Sequence, residues 1–219
     1  MTEKPSSLLE AAHYALLRRL APSLRHRLMG DLQPVTLLAE LAERQIAKSP
    51  PDLEKTRDTI VKARQQARSA VASMMNALAW ITGEENPSVM VKEGVDACVD
   101  LLRTDSEIRG VRITRGEYSA AESIVSRRAL RTVTAAAIIA GVDARPAPHE
   151  IVVSCVKGRD SAIVRIELRH SAGSEPGEDV QDTRPLTWDD LDVIARNEGI
   201  EIERRPEPTV VECRLTVIG

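Results

Sequence analysis

The sequence predicts an α+β chain in two parts: an antiparallel helical hairpin, then a layer of mixed helices and strands. Three observations predict it. Up to about residue 81 the apolar residues recur at helical spacing, and after residue 92 helical and alternating patterns take turns. With two Trp, two Tyr and no Phe, the core must rest on Ala, Val, Leu and Ile, which suits closely packed helices. At 219 residues, 42% of them hydrophobic, the chain is long enough to bury a core.

The first helix is predicted from residue 7 to about 48, with a break or shared kink at Pro22, whose ring suits the first turn of a new helix. It presents a seam at Leu28, Leu32, Val35, Ala39, Ala42 and Ile46. After "KSPPD", Asp52 is positioned as an N-cap. A second helix then runs to about Ile81, where Gly83 and "EENP" stop it. Its seam is Leu53, Thr56, Ile60, Ala63, Ala67, Ala70, Met74, Ala77 and Ile81, in alternating steps of three and four. Two helices cannot cover both stripes. A second copy of the hairpin can, which makes a homodimer built on a four-helix bundle the leading expectation, with burial against a second domain of the same chain as the alternative.

Beyond the linker "GEENPSVMV", residues 92–103 read as helix, "GVRITRGE" as strand and "SRRALRTVTAAAIIAGVDA" as a helix with an apolar middle. "HEIVVSCVKGRDSAIVRIELRH" reads as two strands joined by Lys157, Gly158, Arg159 and Asp160. Residues 171–187 are a polar loop with too little apolar surface to fold tightly. "WDDLDVIARNEG" is a helix closed by Gly199, followed by strands "IEIERR" and "TVVECRLTVI". The predicted division is therefore 1–85 for the helical part and 86–219 for the α/β part.

A net charge of −3 and the scarcity of stacking aromatics argue against a nucleic-acid partner. Cys98, Cys155 and Cys213 are odd in number and widely spaced, which indicates neither a disulfide framework nor a zinc site. The N-terminus lacks a signal-peptide core and no stretch reaches membrane-span length, so a cytoplasmic protein without a membrane partner is expected.

One short stretch of the first helix carries the functional signal. Taking Leu28, Leu32 and Val35 as seam positions puts His26 at an outer heptad position, toward solvent. Its neighbours three and four residues away are Pro22, Ser23, Met29 and Gly30; three of these are small or compact and leave a clearing around the imidazole. Inside a helix, glycine costs about 1 kcal/mol and proline about 3 kcal/mol relative to alanine. Gly30 and Pro34 therefore read as openings, with the helix bent one turn beyond the histidine. Arg19 lies two turns upstream on the same face, while Arg25 and Arg27 flank His26 and point aside.

"HRLMGDL" resembles the H-box of two-component histidine kinases, H-E-L-R-T-P-L, with His26 on the phosphoacceptor and Leu28 and Leu32 on the two leucines. The C-terminal part is similar to a degenerate kinase ATP-binding domain of the Bergerat type. "VKEGVDACVDLLR", "GVRITRG" and "SRRALRTVTAAAIIAGV" follow its helix-strand-helix order, and the later segments its hairpin and closing helix and strands. The family's ATP-holding groups are missing. Alanines stand in "TVTAAAIIAG" where the metal-holding asparagine belongs, "RHSAG" replaces the Asp-x-Gly, and no glycine-rich lid follows. The resemblance thus implies no ATP binding and no autokinase activity. Arg27 replaces the usual acid after the histidine and Gly30 the phosphatase-associated Thr or Asn, so kinase and phosphatase roles are both argued against.

A kinase-like hairpin joined to a disabled nucleotide domain is similar to the dimeric histidine phosphotransferases of the sporulation phosphorelay and of the alphaproteobacterial cell-cycle relay. That resemblance implies a carrier on which His26 takes and passes a phosphoryl group between receiver domains. Arg19, Ser23, Arg25, Arg27, Met29 and Gly30 would form the partner contact. The carrier needs no cofactor, because the receiver supplies its own aspartate and Mg²⁺. A catalytically silent dimeric adaptor that binds a receiver or kinase is the alternative, and an unrelated helical scaffold is the third reading.

Overall fold

The computed structural model describes residues 5–82, 88–170, 184–205 and 209–218. Its architecture is α+β, with an N-terminal helical hairpin of α1 (Pro5–Ile46) and α2 (Leu53–Thr82). The remaining elements follow in the order β1 (Ser88–Met90), α3 (Val91–Ile108), β2 (Arg112–Tyr118), β3 (Ile124–Ser126), α4 (Arg127–Asp143), β4 (Glu150–Lys157), β5 (Ser161–Arg169), α5 (Trp188–Asn197), β6 (Glu201–Arg205) and β7 (Val210–Thr216). No helix among the described residues is long and apolar enough to cross a membrane.

The chain divides into two compact units, Pro22–Gly83 and a second formed by Met1–Ala21 with Glu84–Gly219. The hairpin unit therefore begins at Pro22 and not at the chain start, and the first part of α1 belongs with the α/β elements. The break expected at Pro22 is absent, because α1 is a single helix through both Pro22 and Pro34. A helix-interior proline costs about 3 kcal/mol. Buried side chains on both sides of it, Ala12, Ala15, Leu16 and Leu20 before and Ala42 after, outweigh that cost, since packing supplies most of a helix's stability.

In the hairpin, α2 starts where the N-cap is expected: the Asp52 carboxylate accepts a hydrogen bond from the Lys55 amide at 3.2 Å. The helix–helix seam is small and polar. Thr56, Thr59, Ala70, Ala42 and Gln45 are buried, and the Gln66 amide donates to the Asp31 carbonyl at 3.2 Å. Both threonine hydroxyls return a bond to the carbonyl four residues back, Thr56 to Asp52 at 2.7 Å and Thr59 to Lys55 at 2.9 Å, which satisfies them without a cross-helix partner. The seam read in α2 is only partly covered: Thr56 and Ala70 are buried, but Leu53, Ile60 and Met74 are exposed.

In the larger unit five strands form one sheet in the order β2-β4-β5-β7-β6, parallel at β2–β4 and antiparallel elsewhere. Alternation sets its two faces. Val153, Cys155, Val164, Ile166, Cys213 and Leu215 are buried beneath the helices. The other face carries charges paired across strands, including Arg165 to Glu212 at 2.8 Å and Arg169 to Glu150 at 3.1 Å. An antiparallel sheet can face water on one side in this way. Ser126 caps α4 through the Ala129 amide, and Thr187 and Asp190 form a capping box on α5. Gly199 follows α5 at φ +69°, the left-handed position that favours glycine. The segment read as a linker contains β1, which pairs with β3 in a separate two-stranded sheet; three-residue strands are too short to show periodicity.

Candidate functional site

His26 is exposed on α1, and among the described residues its imidazole has no hydrogen-bond or ion-pair partner. Arg25, Arg27 and Met29 are also exposed. A Cβ built at Gly30 would meet nothing within 4 Å, so nothing in the chain requires a glycine there. The helix accepts its cost without a packing return, and the step beside the imidazole stays open.

Two of the expected contact residues are elsewhere. Arg19 is 2% exposed and gives two bonds to the Asp143 carboxylate, Nε to Oδ2 at 3.0 Å and Nη2 to Oδ1 at 2.7 Å. It is a buried structural arginine and is not available to a docking partner. Its apparent kinship with His26 came from helical phase, which cannot tell whether a face meets water or the chain's own core. Ser23 is buried as well and leaves the accessible set, which keeps Arg25, Arg27, Met29 and Gly30.

Two residues that the seam analysis passed over complete the face. At 100° per residue, His26, Gly30, Leu37 and Leu41 fall within about 60° of one another on the helix. Leu37 is 63% exposed and Leu41 45%. Leu28, Leu32, Val35, Ala39 and Ile46 occupy another arc of about 60°, roughly opposite. α1 therefore shows two apolar stripes on its flanks, one sharing His26's side and one lacking it. The sequence signal was present: two large aliphatic residues standing off the seam.

In the larger unit, the α4 alanines that stand where the resemblance expects a metal-holding asparagine are buried, Ala135, Ala136, Ala137 and Ala140 among them. Arg169 is tied to Glu167 and Glu150, and His170 is exposed just past the end of β5. The lid region read at 171–185 lies outside the described residues up to 183. All three cysteines are buried thiols outside any disulfide. Burial pushes the Cys155 and Cys213 thiols up to about 12, which keeps them protonated and unreactive at neutral pH.

No family model matches the chain, and no curated protein matches it. Among solved structures it is similar to a bacterial phosphotransferase at 14% identity and TM-score 0.43, covering 91% of this chain and 95% of that one. It is similar to a histidine kinase from Burkholderia phymatum STM815 at 12% identity and TM-score 0.46, covering 93% and 98%. The ATP binding domain of PrrB from Mycobacterium tuberculosis is similar over 62% of this chain and 100% of that one, at 16% identity and TM-score 0.44.

Proposed function

We propose that the chain is a histidine phosphotransferase of two-component signalling, carrying a phosphoryl group on His26 to or from the aspartates of receiver domains. The observation that carries this reading is the partnerless, exposed His26 beside the open step at Gly30. In transfer from a receiver, an imidazole nitrogen attacks the phosphorus of the acyl phosphate in line. The P–N bond forms as the P–O bond to the aspartate breaks, and the carboxylate leaves on the receiver with its Mg²⁺. Return transfer is the reverse. Such chemistry depends on positioning and charge stabilisation, so the carrier supplies a free imidazole and a surface that holds the partner in register. Arg25 and Arg27 suit an acidic receiver pocket, and Leu37 and Leu41 give the apolar part of the contact.

The same reading includes a homodimer through the opposite side of the hairpin. Leu53, Ile60, Val71, Met74 and Leu78 on α2 and Leu32 and Ile46 on α1 are exposed, a larger apolar surface than isolated surface residues make. It also excludes ATP chemistry. The buried α4 alanines offer no oxygen or nitrogen side-chain ligand for a metal or phosphate, which supports a carrier charged by another protein.

Incubation of the full chain with a receiver charged by acetyl phosphate tests the relay. Acid-labile, alkali-stable label appears on the chain and is absent from His26→Ala, whose circular dichroism is unchanged. Label retained on His26→Ala overturns the assignment. Receiver binding without label on the native chain establishes the silent adaptor instead.

A further inference from the structure

The helix α4 is buried on more sides than its neighbours in the sheet and helix layer account for. Every residue from Val133 to Asp143 is buried. Gly141 marks the side turned to the sheet, since a Cβ there would lie 3.1 Å from Ile151 Cδ1. α3 and α5 pack against α4 as well. At 100° per residue, Ala129, Ala136, Ile139 and Asp143 point away from Gly141's direction, yet all four are buried. A third layer must cover them.

The first part of α1 supplies that layer. Ala12, Ala15, Leu16 and Leu20 form a buried stripe at helical spacing within the unit that contains α4. Arg19, on the same segment, reaches Asp143 at the end of α4 with two hydrogen bonds. His13 lies in the fields of Arg128, at the start of α4, and of Glu198, next to α5. Asp143 also accepts the Leu186 amide at 2.9 Å and lies 3.8 Å from Arg109. Asp105, near the end of α3, is 3.1 Å from Arg109 and 3.8 Å from Arg19. Two cations and two carboxylates thus close a neutral quartet over the ends of α3 and α4 and the entry to α5. The alanines of α4 have a packing reason here, since small side chains let a second helix approach closely.

We propose that residues 12–20 of α1 are a built-in cover for α4, seated on its side away from the sheet by the Arg19–Asp143 pair, so that the cover and α4 open as one cooperative unit. The inference does not depend on the phosphotransfer reading. It assigns the start of the chain to the α/β unit as a structural layer and makes Arg19 a positioning residue for three element ends.

Native-state hydrogen exchange of the full chain across sub-denaturing urea tests it. Amides of 12–20 and of 133–143 share one opening, with the same urea dependence and protection within about threefold. Arg19→Ala lowers protection in both segments by the same factor, on the order of tenfold or more, and Asp143→Asn has a smaller effect in that background than in the native chain, because the two residues share a bond while Asp143 also holds the Leu186 amide. If 12–20 exchange freely while 133–143 keep native protection, in the native chain or in Arg19→Ala, the cover is overturned. Should Arg19→Ala fail to fold, the urea series on the native chain decides alone.

Discussion

In α4 of the larger unit, eleven consecutive residues, Val133 to Asp143, are buried, eight of them Ala, Val or Ile, while the open sheet face carries Arg–Glu pairs. In the hairpin the arrangement is reversed: Thr56, Thr59 and Gln45 are buried, and Leu53, Ile60 and Met74 stand exposed. The larger unit closes its core within one chain; the hairpin leaves large aliphatic residues such as Leu53, Ile60 and Val71 exposed. Both regions carry apolar residues in number. What differs is whether the chain itself provides the covering layer.

Parallel substitutions in the two regions sharpen that contrast most. Ile138→Ala, at a fully buried site, is expected to cost about 2–5 kcal/mol in urea unfolding, at any protein concentration. Ile60→Ala, 53% exposed, should shift dilute protein by about 0.5 kcal/mol or less. At higher concentration it should lower the Tm of the proposed dimer, which mass action makes concentration-dependent. Ile60→Glu should move sedimentation from dimer to monomer. Equal, concentration-independent losses at the two sites would break the comparison.

A smaller effect of opposite sign is expected at Gly30. With nothing within 4 Å of the added methyl, Gly30→Ala should stabilise the hairpin by about 0.5–1 kcal/mol. The methyl narrows the approach to His26, so transfer from a charged receiver should slow by on the order of tenfold if register at that step matters. Faster or unchanged transfer would show the glycine to be incidental to docking.

The smallest effect expected is a pH dependence confined to the larger unit. Burial holds the His13 imidazole below its ordinary value of 6.5, against the raising influence of Glu198 and with the help of Arg128. The unfolded chain therefore takes up the proton first as pH falls. Stability from neutral His13 is present above about pH 6.5 and is lost as pH drops through that value toward the folded one. His13→Gln should flatten the urea midpoint between about pH 7.5 and 5.5. An unchanged slope would remove His13 from the account.

Much of this architecture was legible in residue order. The Asp52 cap, the strand pair joined at 157–160, the Gly199 helix end and the outward phase of His26 depend on local backbone chemistry or on periodicity within one element. The β1–β3 pair escaped notice because three residues carry no period. Leu37 and Leu41 were visible as aliphatic residues off the seam, but their meaning required knowing which flank of α1 is open. Arg19 was misplaced for the converse reason. Its phase matches His26, and only the carboxylate of Asp143, 124 positions later, takes it out of solvent.

Sequence alone determined the longer helices and strands, which residues are apolar, and that His26 sits off the seam, because these follow from dihedral preference and from side-chain spacing within a few residues. The tertiary structure decided what covers each apolar face: a charge pair between distant segments seats the start of α1 with the α/β elements, while the flanks of the hairpin stay uncovered. Burial is a property of neighbours brought together by the whole chain, and spacing within one helix carries no record of them.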